Sequence, residues 1–365
     1  MKILHIIDSF GLGGAQTVVK GIFESQKSNK NIFLFALRKK EISTKINHKN
    51  TIIHKSNKKY SFSPLKQLKY IIEKEKIEVL HCHLFKSQFF GWILKKYYFP
   101  NIKLIIHEHG KIFKNYFYYN KFMNIAQKQT NLFLAVSRAT KQKLIEKATI
   151  NSKKIKVLYN FVDLGRFNRK NIKVDIQKER EKLWIKKDEF VVGFAGRLSK
   201  VKGCGYLIGA LPYLNFDYKV LITGEGPEKR KLEKLAKRLK VQDKIIFLGY
   251  IEKIEKIYPL FDVLVMPSLS EASPMAFYEA QAYGIPVIGS NISAINEFII
   301  PNKNGNLFKV KNRKDLAKEM NKIFEDKKNL KQMRKYSIEN IKNYSLREYV
   351  INLNKLYSGI LNGKK

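Results

Sequence analysis

Apolar residues in this chain fall into short continuous runs, separated by stretches where they recur every third or fourth position. The runs at 2–8, 31–37, 51–54, 77–82, 102–107, 131–136 and 155–158 predict strands, with helical patterns near 15–28, 64–76, 86–98 and 138–148. A second strand-like series at 189–195, 218–222, 244–248, 262–266 and 286–289 again alternates with helices, and helical patterns at 312–326, 329–342 and 346–361 finish the chain. Strands buried on both faces and alternating with amphipathic helices are the pattern of parallel α/β sheets. Asn168 to Lys187 is polar, charged and poor in core residues, and reads as a linker. The expected fold class is therefore α/β, with two doubly wound, Rossmann-like domains. The first covers 1–167, the linker 168–187 and the second 188–345. Two such domains facing across a cleft would present the carboxyl ends of both sheets to a ligand.

Composition narrows this picture. A chain of 365 residues suits two domains, and 44% hydrophobic content with 12% aromatics is that of a globular protein. The net charge of +40, from 71 Lys+Arg against 31 Asp+Glu, attracts anionic surfaces, phosphorylated substrates or nucleic acid. A Lys-rich compositional bias, with lysines scattered over solvated faces, accounts for it equally simply. Cys82 and Cys204 are the two cysteines, far apart, so neither a disulfide framework nor a cysteine metal site is expected. The opening residues 1–8 are too soon interrupted by Asp8 for a signal peptide, and no apolar run reaches the length of a spanning helix. The expectation is a cytoplasmic protein that at most lies on the inner face of the cytoplasmic membrane. Tyrosines and lysines interleave at Lys95-Lys96-Tyr97-Tyr98-Phe99 and from Lys111 to Phe122, a composition suited to an interface, although such aromatics are commonly core.

Candidate chemistry concentrates where strands end. Glu271 and Glu279 stand eight positions apart around Pro274, which is suited to the first position of a helix. Glu271 would lie just before that helix and Glu279 on its second turn, with unpaired N–H groups between them. Carboxylates accept from hydroxyls and helix N-termini receive phosphate, so the arrangement suits a sugar joined to a nucleoside by a diphosphate. The alternative is two solvated glutamates that merely favour a helix start. Gly196-Arg197-Leu198-Ser199-Lys200-Val201-Lys202-Gly203 follows a predicted strand and supplies Arg197 and Lys202, the cations a diphosphate leaving group needs. Thr223-Gly224-Glu225-Gly226-Pro227 is a further strand-to-helix junction, or plain turn chemistry. Near the N-terminus, Gly11-Leu12-Gly13-Gly14 forms a tight βα turn but lacks the third glycine of a dinucleotide fingerprint. The second strand ends in Arg38-Lys39-Lys40, where an NAD site would carry an acid. His81-Cys82-His83 and His107-Glu108-His109 end two strands; alternating histidines can hold zinc, but no helical His-Glu-x-x-His set accompanies them, and no metal is expected. His81 reads as a core residue and His109, beside Gly110, as the cleft candidate.

Taken together, these residues resemble retaining glycosyltransferases of family 4, which have the two-domain GT-B fold. The resemblance rests on Gly13-Gly14, Val136-Ser137, Asn160-Phe161-Val162-Asp163 with Phe167, Gly196-Arg197-Leu198 with Lys202-Gly203, and Gly224-Glu225-Gly226-Pro227. The Glu271–Glu279 segment, Gly284-Ile285-Pro286-Val287-Ile288 and Glu297 extend it over nearly the whole chain. It implies that Arg197 and Lys202 hold the donor diphosphate, Glu279 the ribose hydroxyls and Glu271 the sugar hydroxyls. Backbone N–H groups across Ser273, Pro274, Met275 and Ala276 would meet sugar and phosphate, with Gly196, Gly224 and Glu225 beside the donor. Gly13 and Gly14 would close over the diphosphate. His109 falls at the family's active-site histidine, with His107 as the alternative, and the terminal helix (about 346–365) would cross back to the first domain. Two departures stand out: Ala272 and Ser273 replace the family's glycine and bulky residue after the first glutamate, and Phe161 replaces a glycine.

The implied activity is metal-independent transfer of a hexose or N-acetylhexosamine from a UDP- or GDP-sugar to an acceptor hydroxyl, with no cofactor. The expected acceptor is a lipid-linked glycan or polysaccharide precursor at an anionic membrane, and no nucleic-acid partner is expected. A nucleotide-sugar epimerase of related fold, which needs no acceptor, and a basic nucleic-acid-binding module are the rival readings; the latter leaves the glutamate pair unexplained.

Overall fold

The computed structural model describes residues 1–11, 13–39, 46, 48–55, 61–110, 117–168 and 174–363. Contacts divide the chain into one unit of Met1–Phe161 with Leu346–Lys365 and another of Val162–Ser345. The boundary thus falls before Val162, not after residue 167. Val162 is tied into the second unit by its N–H to the Tyr344 carbonyl at 2.9 Å. The expected linker is corrected as well: its described part belongs to the second unit and contains the helix Ile176–Lys182, started by the Asp175 side chain accepting from Lys178 N–H.

In the first unit seven strands form one sheet in the order β3-β2-β1-β4-β5-β6-β7. They are β1 (Ile3–Ile7), β2 (Ile32–Ala36), β3 (Thr51–Ile53), β4 (Val79–His83), β5 (Lys103–Glu108), β6 (Leu132–Ala135) and β7 (Ile155–Val157). All neighbours are parallel. In register, Leu4, Ile6, Leu80, Cys82, Leu104 and Ile106 turn to one face and join the main apolar cluster of this unit. By the period of two, His5, His81, His83 and His107 share the opposite face. The helices Gly14–Ser25 and Leu346–Leu361, which contact each other, contribute Phe23 and Tyr357 against these histidines.

The second unit holds β8 (Phe190–Ala195), β9 (Tyr218–Thr223), β10 (Ile245–Gly249), β11 (Val263–Met266), β12 (Val287–Ser290) and β13 (Gly305–Phe308). Their order is β10-β9-β8-β11-β12-β13, again all parallel. In each sheet the order reverses direction once, at β1/β4 and at β8/β11, and loops leaving those strands diverge to leave a binding crevice. The sequence pattern located twelve of these strands but not β13, whose Gly-Asn-Leu-Phe carries too little apolar character to register. The helix Phe117–Ala126 was read only as part of an aromatic and basic run, since its alternation of Tyr, Asn and Lys hides the three residues it buries: Tyr119, Met123 and Ala126.

Asp262 knits the second unit together at the amino end of β11. One oxygen accepts from Arg180 at 3.0 Å and from the Val191 N–H at 2.9 Å, while the other accepts from Arg334 at 2.9 Å. Helices Ile176–Lys182 and Lys327–Asn340 are thereby bound to the sheet through one carboxylate. Asp262→Ala would leave two guanidinium groups without their partner at a half-buried site. A loss of about 2 kcal/mol is expected in urea unfolding of the full chain, small enough for the fold to survive.

Candidate functional site

In the second unit the site is assembled from loops leaving β8, β9 and β11. Gly196 N–H donates to the Thr223 carbonyl at 3.1 Å and Leu198 N–H to the Glu225 carbonyl at 3.0 Å, so the first two loops are zipped together. Gly224 has φ +122°, and a Cβ there would lie 2.0 Å from the Gly196 carbonyl oxygen. Gly203, at φ +66°, follows the short turn Lys200–Lys202; a Cβ on it would lie 1.9 Å from the Pro267 carbonyl oxygen. Leu269 N–H then donates to Val201 at 2.7 Å. Glycine is needed at both positions because the backbones touch where a side chain would stand.

This packing brings Lys202 to Glu271. Their Nζ and Oε1 are 2.6 Å apart, and the Ser268 hydroxyl donates to the same oxygen at 2.7 Å. The Glu271 side chain retains only 10% of its exposure and that of Lys202 31%, so the pair is screened but reachable. Arg197 is exposed at the start of the same loop, beside Gly196. Glu225 is exposed and paired with Lys229 at 3.0 Å.

Pro274 is not the first helical residue, as its sequence position suggested. Its ψ of 119° makes it the N-cap, and the helix runs Met275–Ala282. The extended ψ places the Pro274 carbonyl to accept from Phe277 N–H at 3.1 Å. Met275 and Ala276 therefore head the helix, where N–H groups have no intrahelical acceptor. The Ser273 hydroxyl is turned into the core against Tyr278 OH at 2.8 Å, which leaves Ser273 only its backbone to offer a ligand. Glu279 lies on the second turn and accepts from the Tyr258 hydroxyl at 2.6 Å. Loss of solvent raises its carboxyl above the usual range, and the Tyr258 bond and the charge of Arg166 pull it part of the way back. Arg166 is itself paired with Glu255 at 2.8 Å. Ser268, Tyr258 and Arg166 were missed by sequence reasoning. The first two read as strand-end and core residues, and nothing in their neighbourhood signals which carboxylate they meet.

In the first unit Gly13 is the N-cap of the helix Gly14–Ser25, and both glycines are exposed directly after β1; Leu12 lies outside the described residues. Five histidines gather along β1, β4 and β5: His5 and His81 at mid-strand, and His83, His107 and His109 at or just past the carboxyl ends. His83 Nδ1 is 3.0 Å from His109 Nε2, and His83 Nε2 is 3.0 Å from His5 Nδ1. His81 Nε2 is 3.2 Å from His107 Nδ1. The Tyr357 hydroxyl lies 2.6 Å from His81 Nδ1 and 3.2 Å from His5 Nε2. Burial drives the imidazoles of His81, His83 and His107 well below their usual value and that of His5 to about 3, so all four stay neutral. His107 is sealed in, whereas His109 keeps partial exposure, so of the two active-site candidates only His109 is reachable. Glu108, between them, points elsewhere: it accepts from Gly110 N–H at 2.7 Å and from the Tyr119 hydroxyl.

The second aromatic and basic run lies partly outside the described residues, at 111–116, as does Lys40 of the basic end of the second strand. Of the rest, Tyr97, Tyr98, Phe117 and Tyr118 are exposed. Lys96 Nζ sits 4.9 Å from the Trp92 ring and 4.8 Å from that of Tyr97. No helix among the described residues is long and apolar enough to cross a membrane.

Two family models match, Glycosyltransferase Family 4 over residues 13–166 and Glycosyl transferases group 1 over 175–340. The chain belongs to the family 4, group 1 glycosyltransferases. An uncharacterized glycosyltransferase of Methanocaldococcus jannaschii is 27% identical over 295 residues, spanning 77% of this chain and 70% of the relative. The UDP-Gal:alpha-D-GlcNAc-diphosphoundecaprenol alpha-1,3-galactosyltransferase of Escherichia coli is 29% identical over 239 residues, 62% of this chain and 61% of its own. Among solved structures, Anabaena HepE in complex with UDP-glucose superposes with a TM-score of 0.85 at 20% identity, covering 98% of this chain and 100% of that one. The fold of this glycosyltransferase is accordingly GT-B: two parallel-sheet, Rossmann-like units.

Carboxyl-resolved NMR should find Glu279 titrating above the ordinary glutamate value, and higher still in Tyr258→Phe, which removes the hydroxyl that favours its charged form. The folded protein holds this proton more tightly than the unfolded chain. The stability it contributes is therefore present below the unfolded carboxylate value and lost as pH rises through the folded one.

Proposed function

We propose that this glycosyltransferase moves a hexose or N-acetylhexosamine, with retention and without a metal on the diphosphate, from a UDP- or GDP-sugar to an acceptor hydroxyl. The observation that carries the reading is the 2.6 Å pair of Lys202 and Glu271, which stands four residues before the helix Met275–Ala282, with Glu279 on the second turn of that helix. Cations and helix dipole suit a diphosphate, and carboxylates on either side suit hydroxyls. Glu279, held by Tyr258, takes the ribose. Glu271 takes the sugar, and its ion pair keeps Lys202 extended beside the phosphate position before the donor arrives. The acceptor attacks the face from which the diphosphate departs, through an oxocarbenium-like state. Arg197, Lys202 and the helix N-terminus stabilise the departing charge, and the leaving phosphate receives the acceptor proton.

HepE was solved with UDP-glucose, and the E. coli relative is named for a UDP-galactose donor and a diphosphoundecaprenol-linked acceptor. Both support a UDP-sugar donor here, and the E. coli relative supports a lipid-linked glycan or surface-polysaccharide precursor as acceptor. The +40 charge and the exposed Tyr97, Tyr98, Phe117 and Tyr118 support an anionic membrane surface as the place where the acceptor is met.

A panel of UDP- and GDP-sugars scored for slow donor hydrolysis tests the activity. One sugar nucleotide should be turned over, and Lys202→Ala should lower the rate by about 10²-fold or more, as loss of a group that stabilises transition-state charge does. Glu279→Ala should act mainly on donor affinity. If no nucleotide sugar binds the wild-type protein, the reading fails. In a flotation assay at low salt the protein should bind vesicles containing anionic phospholipid and release them as salt rises; equal binding to neutral vesicles would remove the electrostatic argument.

A further inference from the structure

Five imidazoles in mutual contact are more than one active-site histidine requires, and four of them are buried. We propose that the first unit binds a transition-metal cation, Zn²⁺ being the best match, on His83, His107 and His109. One ring nitrogen from each of these three residues lies within 4.8 Å of the others. Tetrahedral zinc with bonds near 2.0–2.1 Å separates its nitrogen ligands by about 3.3 Å, so the widest separation has to close by no more than about 1.5 Å. His83 Nδ1 and His109 Nε2 already stand 3.0 Å apart.

The partners behind these rings argue for ligation more strongly than proximity does. A metal-bound histidine has its second nitrogen held by a hydrogen-bond partner, which fixes tautomer and ring orientation. His83 meets that condition through Nε2 to His5 Nδ1, and His107 through Nδ1 to His81 Nε2. His5 and His81 both converge on the Tyr357 hydroxyl of the C-terminal helix. With Nδ1 so engaged, His107 Nε2 remains buried with no hydrogen-bond partner, a costly state that a metal bond relieves. His109, half-exposed beside Gly110, gives the cation a way in, and three nitrogens leave a fourth position for water. An all-imidazole set selects against Mg²⁺ and Mn²⁺, so this is not a site for the hard cations that accompany nucleotide diphosphates. The expectation of no metal rested on the absence of helical ligand spacing, and the proposal departs from it on the pairing of strands. Parallel register places histidines from β4 and β5 side by side although 24 and more residues separate them in sequence.

The test uses the full chain, prepared without a polyhistidine tag and stripped with chelator. Titration with Co²⁺ should produce the visible absorption of a four-coordinate centre at about one equivalent, displaced by Zn²⁺. His83→Asn and His107→Gln should each weaken Zn²⁺ binding at least 100-fold. Tyr357→Phe, acting only through His5 and His81, should weaken it about 10-fold, the lower end for an outer-shell partner. His54→Asn, outside the cluster, should change nothing. If the buried variants fail to fold by circular dichroism, His109→Asn at the half-exposed position replaces them, with the same loss expected. Absence of the four-coordinate spectrum in the wild-type protein overturns the proposal, as does unchanged affinity in folded His109→Asn. Donor hydrolysis by the same stripped protein is read separately, so failure of metal binding and failure of the transferase reading are distinguishable.

Discussion

The carbonyl oxygens of Gly196 and Pro267 occupy the places where side chains on residues 224 and 203 would project. Much of the candidate donor site follows from that close approach. With no Cβ between them, the loops after β8, β9 and β11 pack backbone against backbone and exchange hydrogen bonds. The reach from Lys202 to Glu271 is then short enough for a 2.6 Å ion pair. A methyl group at either glycine would push the loops apart by more than a hydrogen bond can stretch. The pair would open, and the leading N–H groups of Met275–Ala282 would lose their charged neighbours.

The two glutamates are held by different partners. Glu271 shares one oxygen between an ammonium and a serine hydroxyl. Glu279 has a phenol as its direct partner and Arg166 acting through its field, and loss of solvent pushes its carboxyl upward. One strand-to-helix segment thus presents two carboxylates, each held by its own set of side chains.

The first unit solves a different problem. One face of its sheet is apolar in the ordinary way, while the other replaces core side chains with imidazoles at four successive contact points. Neutral imidazoles can be buried because each offers one donor and one acceptor to its neighbour. The phenol of Tyr357 joins the two arms of this network from the far end of the chain, 276 residues beyond His81. The C-terminal helix is consequently part of the first unit by hydrogen bonding as well as by apolar contact.

Strand and helix placement was legible because parallel α/β sheets write themselves as buried runs alternating with amphipathic ones, and the boundaries came out within a few residues for most elements. The runs failed where burial was carried by few residues, as at β13 and in the helix Phe117–Ala126. Glycines at strand ends, the cations after Gly196 and the spacing of Glu271 and Glu279 could be read directly, because each is local to one turn or one helix start. The partners of those groups could not. Ser268, Tyr258 and Tyr357 meet Glu271, Glu279 and the histidines only because sheet order and loop packing bring them there, and Pro274 became an N-cap, not a first helical residue, through a ψ angle that its sequence does not specify. The sequence by itself determined the class of fold, the family and the identities of the charged groups, since these depend on periodicity and short-range chemistry. Tertiary structure alone decided which nitrogen faces which, which hydroxyl meets which carboxylate and which histidine is reachable, since those are set by distances between residues that the chain holds far apart.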